Sequence, residues 1–283
     1  FGPGADADFV RRDGNPVVTQ SGINLGEAAR LGVPPSVIAE WRDGADLCWL
    51  PGPRPPGFYR DNYSSVAENL DVVVPELDRL HALGKTRRWP AGSRPKVVNP
   101  LGAVLKHGKT RMVVDQTVSG VNSHMSHQYF RMPTVETAVA GLSKGAWLGK
   151  IDISDAFLLF PIPEEDQTYF GFQHPVTKEF FVYTALVFGN KNSPYKFCSF
   201  SEHIHNVLRV YGLDDLCVFM DDWLATSNAS QFECELRMRV LLRIFRRLNI
   251  PVKASKTVWP SQCVVFLGII VNTLKQTLTL PED

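Results

Sequence analysis

Apolar positions along the chain fall into two kinds of pattern, one with helical spacing and one in short runs. Val73, Leu77 and Leu80 share one face of a predicted helix that begins at Asp71, and Gly84 offers its stop. Ser193-Pro194 is a cap residue followed by proline in the first turn. The helix it starts should turn Phe197, Phe200, Ile204, Val207 and Leu208 inward. Another helix is predicted over 230–248, with Leu236, Val240, Ile244 and Leu248 on its buried stripe. The short runs read as strands. They are 97–104 and 111–114, joined by the basic glycine turn Lys106-His107-Gly108-Lys109, then 146–153, a hairpin of Phe170-Gly171-Phe172 with Phe180-Phe181-Val182-Tyr183, and a closing strand 264–271. Mixed strands and helices with antiparallel hairpins predict an α+β fold close to a split βαβ plan. Residues 1–68 are different, being rich in Gly, Pro and Asp with weak periodicity. Pro51-Gly52-Pro53-Arg54-Pro55-Pro56-Gly57 reads as a linker, so this region is expected to be a loosely packed N-terminal extension.

Bulk properties narrow the function classes. The length allows one large domain or a domain with an extension, and 44% hydrophobic and 21% charged residues are ordinary for a globular chain. A net charge of +1 gives no overall basic field, so any nucleic-acid surface must be a local patch. The cysteines Cys48, Cys198, Cys217, Cys234 and Cys263 are odd in number and scattered. They read as reduced thiols of an intracellular protein, with neither a zinc knuckle nor a disulfide framework. No apolar stretch approaches the ~18 residues that span a bilayer, so no membrane partner is expected. The chain begins at Phe1 without methionine, which suggests a piece of something longer.

The candidate chemistry lies in three aspartates. Lys150-Ile151-Asp152-Ile153-Ser154-Asp155-Ala156-Phe157 reads as a strand running into a helix, and 217–224 reads as two apolar runs around an acidic turn with Asp221 and Asp222 at its tip. Adjacent carboxylates repel, and burying even one costs several kcal/mol unless a cation compensates it. Such a tip suggests a divalent-ion site, and Asp152 on a neighbouring strand would complete a two-metal clamp of the kind used in phosphoryl transfer.

Together these segments resemble the fingers and palm of a reverse transcriptase, the RNA-dependent DNA polymerase of retroelements. Asn99-Pro100-Leu101-Gly102-Ala103-Val104, Arg111-Met112-Val113-Val114-Asp115 and Val121-Asn122 are similar to the first fingers motifs. Asp152 to Phe157 resembles the strand bearing the first catalytic aspartate. Phe188-Gly189-Asn190-Lys191-Asn192-Ser193-Pro194 resembles the template and nucleotide contact motif, with Asn190 where leucine is usual. Phe219-Met220-Asp221-Asp222 resembles the x-Met-Asp-Asp box with Phe for the commoner Tyr. Leu248-Asn249-Ile250, Lys256 and Phe266-Leu267-Gly268 resemble the last palm motifs. The ordered set carries the specificity, since each motif alone is common by chance. The wording around Arg111 and Val121 resembles DIRS-like retrotransposons.

The resemblance implies a right-hand polymerase with fingers over 69–150, a palm with a ferredoxin-like antiparallel sheet over 151–272, and the start of a thumb connection at 273–283. It implies template-directed DNA synthesis from dNTPs on an RNA or DNA template with primer. Two Mg²⁺ ions, with Mn²⁺ as a substitute, would be held by Asp152, Asp221, Asp222 and the Ile153 backbone. Lys106, Lys109 and Arg111 would close over the triphosphate, and Lys256 would donate a proton to the pyrophosphate. Phe157 would exclude a 2′-hydroxyl, Gly189 would admit the base pair closely, and Phe266, Leu267 and Gly268 would grip the primer. Thumb, RNase H and recombinase or integrase regions of a larger polyprotein are expected outside this chain.

Plainer readings apply to other residues. Asp155 reads as a helix cap, and the arginines from Arg237 to Arg247 as a solvated helix face. His124, His127, His203 and His205 lack partner ligands at metal-binding spacing, and Trp41, Trp49 and Trp223 read as packing residues. Two rivals stand beside the main reading. A viral RNA-dependent RNA polymerase would carry Gly-Asp-Asp and a second aspartate where Phe157 stands. A decayed or domesticated element would keep the palm only to bind RNA or protein.

Overall fold

The computed structural model describes residues 22–106 and 108–281, with the side chain of Lys106 left out. The first third of the expected N-terminal extension, His107 and the last two residues therefore lie outside the described residues. The fold is α+β and its sheets are mainly antiparallel. In chain order the elements are α1 (Leu25–Arg30), α2 (Pro35–Asp43), β1 (Phe58–Tyr59), α3 (Ser64–Ala67), α4 (Leu70–Ala82), β2 (Thr86–Arg88), β3 (Val97–Val98), β4 (Leu101–Lys106) and β5 (Lys109–Val114). They continue with α5 (Val135–Val139), β6 (Trp147–Asp152), β7 (Gly171–Gln173), β8 (Phe180–Tyr183), α6 (Ser193–Val210), β9 (Leu216–Phe219), β10 (Asp222–Ser227) and α7 (Gln231–Arg247). The last are β11 (Val258–Ser261), β12 (Cys263–Phe266), β13 (Ile269–Asn272) and β14 (Thr277–Thr279).

The described residues fall into two units. The first holds those up to Pro34, Phe130–Ala156 and everything from Phe197 onward. Its main sheet has the order β11-β6-β10-β9 with every pairing antiparallel. Helices α6 and α7 complete a β6-α6-β9-β10-α7-β11 sequence, which is the split βαβ plan. Strand alternation gives this sheet two faces. Ile151, Trp223 and Ala225 share the helix-covered one, where the Trp223 ring meets Phe245 of α7 edge-on at 5.2 Å between centroids. Gly149 lies on the same face because a Cβ there would meet Met238 Sδ at 2.1 Å. On the other face Leu148 and Leu224 pack with Val264, Phe266 and Val271 of the β12-β13 hairpin.

The second unit holds Pro35–Tyr129 and Phe157–Lys196. A five-stranded sheet, β1-β3-β7-β8-β2, carries the expected hairpin of β7 and β8, and α4 buries Val73, Leu77 and Leu80 as its spacing predicts. Strands β4 and β5 form a separate two-stranded ribbon.

Several expectations need correction. The run 97–104 is two strands in different sheets, split at Asn99-Pro100. Pro100 has no N–H for a ladder, and the Asn99 side chain donates to the carbonyls of Tyr169 and Gly171. The run 264–271 is a hairpin, with Leu267 (φ +52°) and Gly268 (φ +79°) turning between the paired Phe266 and Ile269. The α7 stripe holds in part: Ile244 and Leu248 are buried as expected, but Leu236 is 48% exposed and Val240 only half-buried, and Cys234, Met238, Leu241 and Phe245 join the buried face. The helix expected straight after Asp152 is a single 3₁₀ turn, Ala156–Leu159, delayed by Asp155 at φ +52°. Residues 22–68 are not loosely packed. Ala28, Val33, Ala45, Leu47 and Val66 are buried, and α1 is tied to the end of α7 by Asn24 N–H to Leu248 O at 2.9 Å and by a Glu27–Arg247 ion pair.

Candidate active site

Asp152 ends β6 and Asp222 begins β10, and the two are register partners across the strand pair. Ile153 donates its N–H to Asp221 O at 2.8 Å, so the neighbouring Asp152–Asp222 pair is of the non-hydrogen-bonded type, in which side chains stand closest. The turn residues of the hairpin are Met220 (φ +51°) and Asp221. Asp222 already belongs to the strand rather than to the tip. Two further bonds, Ser154 N–H to Pro251 O at 2.9 Å and Lys253 N–H to Asp152 O at 3.0 Å, fasten the end of β6 to the segment before β11. All three carboxylates thus converge at one end of the first unit's sheet.

Their charges are partly compensated by lysines. Lys256 Nζ lies 2.7 Å from Asp152 Oδ2, and Lys150 Nζ lies 2.9 Å from Asp222 Oδ1. Asp222 Oδ1 is buried, with the Lys150 ammonium against it at ion-pair distance. Asp152 is 5% exposed, and burial raises its carboxyl above the usual range. The hydrogen bond and charge of Lys256 pull it down, while Asp222 pushes it up. Asp221 is pushed up to about 6, by burial first and by the charge of Asp152 second. Exclusively oxygen donors with unmet charge suit a hard divalent cation such as Mg²⁺ or Mn²⁺. Among the described residues, however, no three His, Cys, Asp or Glu side chains already form a ready metal cage.

The other expected residues are placed as follows. In the first unit, Phe266 is fully buried in the core below Leu224, so its ring packs while Leu267 and exposed Gly268 form the hairpin tip. In the second unit, Lys109 and Arg111 are exposed on β5, and strand alternation puts them on one face of the ribbon. Phe157, 6% exposed, packs its ring against Phe188 at 4.7 Å between centroids. Gly189 adopts φ +111°, and the close approach it permits is to its own chain, since a Cβ would meet Val114 O at 1.8 Å. The segment after it is held by side chains: Asn122 donates to Gly189 O at 2.8 Å, Asn190 to Gln116 Oε1 at 2.8 Å, and Lys191 Nζ to Met125 O at 2.7 Å. Asn190, a departure from the usual leucine, is buried by this network. Sequence reasoning missed Lys150. The available signal was a charge in a strand whose neighbours Leu148 and Ile151 are core residues.

A family model for "Reverse transcriptase (RNA-dependent DNA polymerase)" matches residues 104–271, more than half of the chain. The chain belongs to the reverse transcriptase family. An uncharacterised Caenorhabditis elegans protein is 27% identical to this reverse transcriptase domain over 209 residues, covering 71% of the chain and 15% of the relative. The Gag-Pro-Pol polyprotein of human T-cell leukemia virus 2 is 26% identical over 195 residues, covering 65% and 13%. The Gag-Pol polyprotein of avian reticuloendotheliosis virus is 26% identical over 267 residues, covering 86% and 23%. The chain thus spans less than a quarter of each of these relatives. Among solved structures, a foamy viral protease-reverse transcriptase in complex with double-stranded DNA shares the right-hand polymerase fold at a TM-score of 0.64. It is 20% identical, with 92% of this chain and 53% of that one covered. No helix among the described residues is long and apolar enough to cross a membrane.

Proposed function

We propose that this reverse transcriptase domain performs template-directed DNA synthesis, joining dNTPs to a primer 3′-hydroxyl on an RNA or DNA template. The observation that carries the reading is the convergence of Asp152, Asp221 and Asp222 at one end of a split βαβ sheet. Asp152 and Asp221 hold two divalent cations, Mg²⁺ or Mn²⁺, with the Ile153 backbone beside them and Asp222 shaping the site. Bound there, such ions supply positive charge to the attacking hydroxyl and to the leaving pyrophosphate. Lys256 exchanges its partner: half-exposed on a flexible stem, it leaves Asp152 and gives a proton from Nζ to the pyrophosphate. Lys109 and Arg111, with Lys106, clamp the triphosphate, with the Arg111 fork suited to paired phosphate oxygens. Phe157 excludes the 2′-hydroxyl, and the tip of the β12-β13 hairpin positions the primer end.

We read the first unit as palm and the second as fingers, working inside a larger retroelement polyprotein. The polyprotein names of the viral relatives support that setting. Primer extension on RNA and DNA templates with Mg²⁺ or Mn²⁺ tests the proposal beside Asp221→Ala. Deoxynucleotide incorporation by the wild type alone is expected. Equal use of ribonucleotides would favour an RNA polymerase, and inactivity of both proteins would favour a domesticated binding domain.

A further inference from the structure

Lys150 stands where a packed sheet seldom carries a charge. It lies in the central strand β6, paired with Val258 of β11 on one side and Leu224 of β10 on the other, and only 15% of its side chain is exposed. Strand alternation turns it to the face of Asp152, two residues on, and of Asp222, the cross-strand partner of Asp152. Its Nζ reaches Asp222 Oδ1 at 2.9 Å, and that buried oxygen has no other donor among the described residues. An ammonium and a carboxylate drawn this far from water are retained only against each other. Lys256 is a different kind of partner: it extends from the short 3₁₀ turn Ala254–Lys256, and its side chain is 48% exposed. Three carboxylates are thus met by one housed ammonium and one exposed one.

We infer that Lys150 is a positioning residue, the built-in counter-ion of Asp222. It fixes that carboxylate against the sheet and withholds it from the cation-ligand set of Asp152 and Asp221. The inference rests on the polymerase reading and refines it. With the Asp222 charge offset by Lys150, an incoming cation meets two carboxylates in place of three, Asp221 and an Asp152 whose Lys256 partner is half-exposed and displaceable, so the site binds loosely enough to exchange ions with each nucleotide. Removing the ammonium exposes a third full negative charge and tightens divalent binding.

Mn²⁺ binding to the 283-residue chain, measured by calorimetry and by paramagnetic resonance of the free ion, tests this without requiring turnover. Lys150→Met should bind Mn²⁺ about fivefold or more tightly than wild type, and the gain should vanish in Lys150→Met/Asp222→Asn. Lys150→Arg, which keeps the charge, should stay within about threefold of wild type; Asp222→Asn, which leaves the Lys150 ammonium unpaired, should weaken binding about fivefold, and Asp152→Asn should lose about tenfold or more. A loss of about tenfold in Lys150→Met/Asp222→Asn, in which no unpaired charge remains, would overturn the inference, because Asp222 would then be a direct ligand. So would an unchanged affinity in Lys150→Met. Should Lys150→Met alone fail to fold, Lys150→Met/Asp222→Asn, which removes both charges together, still decides. Failure of the polymerase reading looks different: Asp152→Asn and Asp221→Asn would both leave Mn²⁺ binding unchanged.

Discussion

Replacing Asp221 by asparagine should make the cation-free chain more stable while abolishing synthesis. The Asp221 carboxyl is pushed from its ordinary 3.8 to about 6, so ionising it costs up to ~3 kcal/mol more in the folded chain than in the unfolded one. A raised carboxyl pKa means that the folded chain holds the proton more tightly. The stability from this group is therefore full below pH 3.8 and is lost as pH rises through about 6. Wild type carries the whole cost at pH 8, and the neutral amide carries none of it. Water at the partly exposed carboxyl trims the expected gain to ~2 kcal/mol at pH 8, and it should shrink to about half of that at pH 5. The main-chain bond from Ile153 N–H to Asp221 O survives the substitution, so the comparison isolates the charge. Urea unfolding of both proteins in EDTA at the two pH values gives the difference. A variant no more stable than wild type at pH 8, or a gap that stays constant with pH, would refute the reasoning. Added Mn²⁺ should then raise the wild-type midpoint and leave the variant nearly unmoved.

Other outcomes follow from single placements. Gly189→Ala puts a methyl on the Val114 carbonyl at φ +111°, so it should cost ~2 kcal/mol or more and lower Tm; an unchanged melt would remove the conformational reason for the glycine. Phe266→Ala opens a cavity under Leu224 and should cost ~3–5 kcal/mol by denaturant titration, a loss that a purely primer-contacting residue would not give. Phe157→Ala should raise ribonucleotide use about tenfold relative to deoxynucleotide in single-nucleotide extension, and an unchanged ratio would end its role against the 2′-hydroxyl.

Some of this was readable from residues alone, and the misses have physical causes. The stripe of α4 was legible because Val73, Leu77 and Leu80 recur at helical spacing with Asp71 and Asp78 on the opposite face. In α7 two sets spaced four apart compete, Leu236 with Val240 and Cys234 with Met238. What decides is the Gly149 notch that receives Met238, a fact of tertiary packing. The β12-β13 hairpin hid inside an unbroken apolar run because Leu267 occupies a left-handed turn position normally marked by Asn or Gly. The aspartates were legible as chemistry because no bland role suits three of them together. The pairing of Lys256 with Asp152 and the whole role of Lys150 were not, since a salt bridge depends on tertiary placement and a strand lysine alone reads as solvated.

Asp152 and Asp221 are proposed to hold divalent cations for nucleotide addition. Anomalous diffraction from crystals grown with primer-template, dNTP and Mn²⁺ tests that role most directly. Mn²⁺ peaks are expected roughly 2.0–2.2 Å from carboxylate oxygens of both residues, with Lys256 moved off Asp152 and Lys150 still on Asp222. Lysine pairs left intact at both aspartates, and no peak beside either Asp152 or Asp221, would contradict that role.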